Sequence, residues 1–301
     1  MPTLTTRADG RRAISAAIVL CAFLTVGEVA GTPVPGTPPP AIPPGTGESF
    51  FLSSSTRWNE GHVPLAIVRR GDVVDAVARH ASPSARRTHG CGPRARWAAI
   101  GSRWHALDEW GQIVSTRTVS RREIYDVTGC AELTLSPASK GDDLAIFVSV
   151  DSSWHPSPSP AWLPDGAAQT SFRALADTTI DDRRAGRRAR HRECDPMKRR
   201  VAFFTSATGE RYGVATSDIG YLVARLDGES WTPVLSRSEP GKHPPSFTCY
   251  RPIAIFDMNQ DGSPEIVLFQ STGESWGDLV LGRGRDGNWT VVAISPGSAI
   301  V

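Results

Sequence analysis

From residue 48 onward the chain alternates short apolar runs with clusters of Gly, Pro, Ser and Asp, and nearly every run has the length of a β-strand. Branched and aromatic side chains suit a pleated, half-buried surface, so short runs rich in Val, Ile, Phe and Trp read as strands. Residues 65–70 and 73–77 form a first pair joined at Gly71-Asp72, where a short helix over 72–80 competes. Runs at 97–100, 103–107, 112–119, 123–127, 131–135 and 144–150 follow, with a turn at Asp108-Glu109-Trp110-Gly111. Residues 151–166 read as a loop dense in Ser and Pro that carries Trp154 and Trp162. Near the C-terminus four strands are predicted, over 252–256, 265–270, 278–282 and 289–294. Many short strands at roughly 8–12-residue spacing predict a sandwich or propeller rather than alternating strand and helix.

The last hundred residues echo themselves. Residues 201–213 align with 266–277, and Asp227-Gly228-Glu229-Ser230-Trp231-Thr232 aligns with Asp286-Gly287-Asn288-Trp289-Thr290. A second alignment sets 201–204 on 253–256 and puts Thr205 and Ala207 opposite Asp257 and Asn259. A repeat of this size reads as stacked units such as propeller blades, each of four antiparallel strands.

Between two of the predicted strands lies Asp257-Met258-Asn259-Gln260-Asp261-Gly262-Ser263-Pro264-Glu265. Oxygen-bearing side chains recur at every second position, a glycine permits a sharp turn, and a carboxylate returns at Glu265. Hard cations such as Ca²⁺ take about six to eight oxygen ligands, which alternate side chains of a curled loop supply. The reading is strand, Ca²⁺ loop, strand, with Asp257, Asn259, Asp261 and Glu265 as ligands. An EF-hand requires a Glu at the twelfth position, where Leu268 stands, and a turn that binds nothing is the plainer alternative.

This loop and its flanks resemble the FG-GAP (VCBS-like, integrin-type) repeat family, well over 251–269 and loosely over 201–295. The resemblance implies a β-propeller blade holding Ca²⁺ between strands, with the backbone carbonyl of Ser263 joining the four side chains. It also implies adhesion or recognition outside the cytoplasm. A full wheel of such blades needs more chain than residues 48–301 supply. The expected fold is therefore all-β: blade-like four-stranded antiparallel units, a partial or small propeller-like body, packed with an N-terminal β-rich domain.

Composition refines this. The chain has 301 residues and a formal net charge of +2, so bulk electrostatics names no partner. Residues 1–31 resemble a secretory signal: Arg7, Arg11 and Arg12 precede an apolar run shorter than the roughly 20 residues of a spanning helix. Cys21 within that run raises a lipoprotein alternative, though Leu20 precedes it. Residues 32–47 form a Pro-rich linker, 48–180 a β-rich N-terminal domain, 181–200 a basic linker and 201–301 the repeat region. Removing the signal leaves Cys91, Cys130, Cys194 and Cys249, an even count that favours disulfides in an exported chain. Of three possible pairings, Cys91 with Cys130 and Cys194 with Cys249 is preferred.

No His-Glu-x-x-His or phosphate loop occurs. His89-Gly90-Cys91, Trp104-His105, Trp154-His155 and the carboxylates Asp108 and Glu109 are the remaining catalytic candidates, each explained more simply by packing, a disulfide or a turn. The expectation is an exported, Ca²⁺-binding, non-catalytic surface module that recognises an extracellular or cell-surface protein or glycan. It would be secreted, periplasmic or surface-bound, with no membrane span once the signal is removed. A secreted hydrolase with unidentified residues is one alternative. A binder of anionic polymers through the 181–200 arginines is another, although that segment lacks the aromatic residues that would stack nucleic-acid bases.

Overall fold

The apolar runs build three antiparallel sheets and one α-helix. The computed structural model describes residues 48–53, 61–76, 96–125, 130–137, 145–150, 154–155, 157, 161–180, 200–217, 220–238, 249–272, 275–284 and 286–295. The expected signal, the Pro-rich linker and the basic linker up to residue 199 lie outside them. All described residues belong to one compact unit, Ala41–Val301, and no described helix is long and apolar enough to cross a membrane.

The N-terminal sheet comprises β1 (Ser49–Leu52), β2 (Pro64–Arg69), β3 (Asp72–Asp75), β4 (Arg103–Leu107), β5 (Ile113–Tyr125), β6 (Cys130–Ser136) and β7 (Ile146–Ser149), in the order β3-β2-β1-β7-β4-β5-β6. It curls on itself, because His62, just before β2, exchanges both backbone hydrogen bonds with Leu133 of β6 at 2.8 Å. The concave side buries Leu52, Trp104, Val119, Leu133 and Phe147.

Three local expectations are corrected here. The run at 97–100 is not a strand: its first two residues belong to a 3₁₀ turn, Arg96–Ala98, which sets Trp97 edge-on to Trp104 with ring centres 6.1 Å apart. Runs 112–119 and 123–127 are not separate strands: their described residues 113–119 and 123–125 lie on one strand, β5. The polar residues between them sit at a register shift between Val119 and Arg121, a bulge that inserts an extra residue without ending the strand. Arg69 pairs with Asp72, so the first hairpin turns at Arg70-Gly71 (φ 53° and 81°) rather than at Gly71-Asp72. Two positive φ values match the twist of the flanking strands.

The other two sheets are four-stranded meanders: β8 (Arg200–Thr205), β9 (Arg211–Thr216), β10 (Gly220–Asp227) and β11 (Ser230–Ser238); then β12 (Cys249–Phe256), β13 (Glu265–Thr272), β14 (Ser275–Arg283) and β15 (Trp289–Ile294). All four strands expected over 252–294 are present. Successive side chains of a strand point to opposite faces, and in the β12–β15 sheet both faces are buried. Phe256, Val267, Val280 and Ala293 pack with Phe51, Leu65 and Val148 of the curled sheet. Ile255, Ile266, Leu268, Leu279 and Leu281 pack with Phe204, Tyr212, Val214 and Val223 of the β8–β11 sheet.

Strand register decides between the two alignments of the echo. Phe204 pairs with Tyr212 as Phe256 pairs with Glu265, which equates β8 with β12 and β9 with β13. Residues 201–204 therefore correspond to 253–256, and the alignment of 201–213 on 266–277 is displaced by one strand. The Asp227-Gly228 and Asp286-Gly287 turns do correspond, each joining the third and fourth strands of its sheet.

The outer face of the β8–β11 sheet is covered by α1 (Gly166–Ile180), an element absent from the expectation. Its signals are present but weak. The Asp165 carboxylate caps the Ala168 amide at 2.8 Å, and Phe172, Ala176 and Ile180 recur every four residues to form the buried stripe. Small and β-branched residues occupy much of the remainder. Phe172 packs among Phe203 and Trp231, with ring centres 5.2 and 4.8 Å away. Phe172→Ala is expected to cost about 3–5 kcal/mol, measured as a lowered urea midpoint. A loss within 1 kcal/mol would show that the helix contributes little to the stack.

Candidate metal centre

β12 and β13 leave the core at Phe256 and return at Glu265, and their pairing holds the two ends of the 257–265 loop together. Within it the alternating oxygens turn inward. The Asp257 carboxylate accepts the Asp261 amide at 3.1 Å and the Gly262 amide at 2.8 Å. Asn259 Oδ1 accepts the Asp261 amide at 3.2 Å, and its Nδ2 donates to Asp261 Oδ2 at 3.0 Å. Asp261 Oδ1 accepts the Ser263 amide at 2.7 Å, and Glu265 Oε2 accepts the Met258 amide at 2.7 Å. Met258, between the inward oxygens, is fully buried in the core. Gly262 (φ 87°) is required twice over, since its backbone is left-handed and a Cβ there would lie 3.1 Å from Ala207 Cβ. Gln260 is also left-handed (φ 62°), and its side-chain amide is tied to the His155 carbonyl at 2.9 Å.

The loop thus brings together Asp257, Asn259, Asp261 and Glu265, with Ser263 beside them. Asp257 is 6% exposed and Glu265 2% exposed, yet among the described residues no Lys, Arg or His pairs with either or with Asp261. Burial, then the charge on Asp261, pushes the Asp257 carboxyl up to about 6. Burial, then the charge on Asp257, pushes Glu265 well above its ordinary value. Buried carboxylates normally have a cation or a full set of donors. Ser263 Oγ adds a buried oxygen with no hydrogen-bond partner.

The donors are all oxygen, which fits a hard cation such as Ca²⁺ rather than a metal preferring nitrogen or sulfur. Among the described residues no group of three or more His, Cys, Asp or Glu is set as a ready-made metal cage, and Asp257, Asp261 and Glu265 accept the loop's own amides. A carboxylate has about four lone-pair sites, and Asp257, with two amide bonds, retains acceptor capacity for a cation.

Elsewhere, Cys130 and Cys249 are buried, whereas Cys91, Cys194 and the His89-Gly90-Cys91 triplet lie outside the described residues. Trp104 is core, and His105 meets Thr116 Oγ1 at 2.9 Å, its pKa lowered by burial and then by Arg103. Asp108 closes its own turn by accepting the Trp110 and Gln112 amides at 2.9 and 2.8 Å, and Glu109 accepts the Trp110 indole N–H at 3.0 Å. An open groove of about 520 Å³ runs along 209–211 and 225–228. Its carboxylates are committed to arginines, Glu210 to Arg283 at 2.8 Å and Asp227 to Arg225 at 2.8 Å. Sequence reasoning missed the groups that grip the 257–265 loop from outside, Gly71, Trp154, His155 and Ala207. Nothing local in the sequence marks contacts between segments as distant as 71 and 259. In comparisons with protein-family models, curated proteins and solved structures, the chain matches none.

The raised Asp257 pKa fixes the sign of a pH effect. The folded protein holds a proton there more tightly than the unfolded chain, so that stabilisation is full below about pH 3.8 and is lost as pH rises through about 6. Glu265, shifted the same way, adds to the loss. In chelator, melting temperature is expected to fall between pH 5 and pH 7.5, and Asp257→Asn should flatten the slope. An unchanged slope in that variant would assign the effect to other groups.

Proposed function

We propose that this chain is an exported, Ca²⁺-stabilised β-repeat protein that acts as a non-catalytic surface module for recognition or adhesion. The observation that carries the reading is the group of three carboxylates, Asp257, Asp261 and Glu265, two of them buried, with no described cation among them. A divalent ion at the mouth of the loop would offset their mutual repulsion and their desolvation. Asp257, Asn259, Asp261 and Glu265 would hold it through side-chain oxygens, and Ser263 through its carbonyl or its unpartnered hydroxyl. The bound ion supplies charge neutralisation and cross-linking.

Two further observations support the setting. The strand–loop–strand arrangement and the four-stranded meanders agree with the FG-GAP-like resemblance. Disulfides joining the buried Cys130 and Cys249 to their proposed partners Cys91 and Cys194 would fit an oxidising compartment. An extracellular or cell-surface protein or glycan is the proposed partner class.

Calorimetric titration with Ca²⁺ tests the reading. One binding event is expected, with a rise in melting temperature over the chelated protein, and the Asp257→Ala/Asp261→Ala variant should show neither. Identical melting with Ca²⁺ and with chelator, in wild type and variant alike, would sink it.

A further inference from the structure

The loop is gripped from outside by hydrogen bonds from three parts of the fold. Trp154 Nε1 donates to the Asp257 carbonyl at 3.3 Å. Its indole lies in the core shared by the curled sheet and the β12–β15 sheet, edge-on to Phe51 at 5.9 Å and to Phe256 at 5.8 Å. Asn259 Nδ2 donates to the Gly71 carbonyl at 3.0 Å, in the β2–β3 turn of the curled sheet. The Ala207 amide, in the β8–β9 loop, donates to the Gly262 carbonyl at 2.9 Å.

We propose that Trp154, Gly71 and Ala207 are positioning groups for the cation loop, so that cation occupancy is coupled to the docking of the β2–β3 hairpin and the β8–β9 loop on the central sheet. The proposal rests on the Ca²⁺ reading and adds where the binding energy is felt. Each contact serves a different purpose. The Trp154 bond fixes the backbone at the first ligand. The Gly71 bond occupies the amide nitrogen of Asn259, which leaves Oδ1 as the atom available to a cation. The Ala207 bond fixes Gly262, where the left-handed turn brings the chain round toward Glu265. A backbone held in ligating shape loses less conformational freedom on binding, so affinity rises. Coupling between sites is reciprocal. If docking of the hairpin and of the β8–β9 loop strengthens cation binding, the cation must strengthen their docking by the same factor. The neighbouring layers thus behave as parts of one cation-dependent joint.

Two substitutions separate positioning from ligation. Trp154→Phe removes the donor and keeps an aromatic ring between Phe51 and Phe256. Asn259→Asp keeps an oxygen at the ligand position, adds a negative charge that itself attracts a cation, and removes the donor to Gly71. The experiment is Ca²⁺ calorimetry paired with amide hydrogen exchange in Ca²⁺ and in chelator, on the full chain. In wild type, Ca²⁺ is expected to slow exchange across 66–75 and 203–212 as well as within 257–265. Trp154→Phe should weaken Ca²⁺ binding roughly 2- to 10-fold, the range a single hydrogen bond allows, while its chelated form melts cooperatively. Asn259→Asp should still bind, with the Ca²⁺-dependent slowing at 66–75 gone. If wild type binds Ca²⁺ but slowing stays within 257–265 and both variants bind as wild type does, the coupling is overturned and the Ca²⁺ reading survives. If wild type gives neither heat nor slowing anywhere, both are overturned.

Discussion

The structure depends on burial of the β12–β15 sheet on both of its faces. A sheet usually has one face for the core and one for water, and its sequence then alternates apolar with polar. Here odd and even positions are both apolar, Ile266 and Leu268 facing one neighbour and Val267 the other. The curled sheet and the β8–β11 sheet each cover one of these faces. The curled sheet keeps a second interior of its own around Trp104 and Phe147, and the β8–β11 sheet has its far side closed by α1. The order of layers is curled sheet, central sheet, third sheet, helix. This is the face-to-face stacking of propeller blades, ended on one side by a helix and on the other by a sheet of different architecture.

The charged loop sits at the end of the most deeply buried sheet, and that position accounts for its electrostatics. Phe256, which precedes Asp257, is fully buried, so Asp257 leaves the core directly into a desolvated corner. Glu265 opens the returning strand and stays buried with it. Side chains with the same sequence in an exposed turn would be hydrated and would titrate normally. Here the backbone amides of the loop compensate the negative charge only in part, and burial holds the Asp257 and Glu265 carboxyls above their ordinary pKa.

Much of this was legible in the sequence because it is local. Strand runs, the Asp108–Gly111 turn and the oxygen ladder at 257–265 all declare themselves within a few residues, and the strands bounding that ladder fall where expected. Less legible were features whose evidence is weak along the chain or distributed across it. The helix at 166–180 has a cap and a four-residue stripe, but its Gly, Thr and Ala content gives little contrast between faces. The bulge in β5 reads as a break because polar residues interrupt the run, whereas the strand pairs through it with β6. The two blade-like sheets align by register rather than by composition, since the similar apolar runs at 201–204 and 266–269 occupy different strands. The grip on the loop by Gly71, Trp154 and Ala207 leaves no sequence trace at all.

One contact bears on how the chain reaches this state. The Ile294 amide of β15 donates to the Asp75 carboxylate of β3 at 2.7 Å, joining the last strand to the third across most of the chain. Contacts between distant segments require the loop-closure entropy to be spent before they return any stabilisation. The central sheet shields the convex side of the curled sheet, so residues such as Phe51, Leu65 and Val148 keep an uncovered apolar face until the C-terminal strands arrive. A chain emerging N-terminus first would carry that face exposed until the β12–β15 strands, residues 249–294, were available. Covering that face is therefore tied to the strands of residues 249–294.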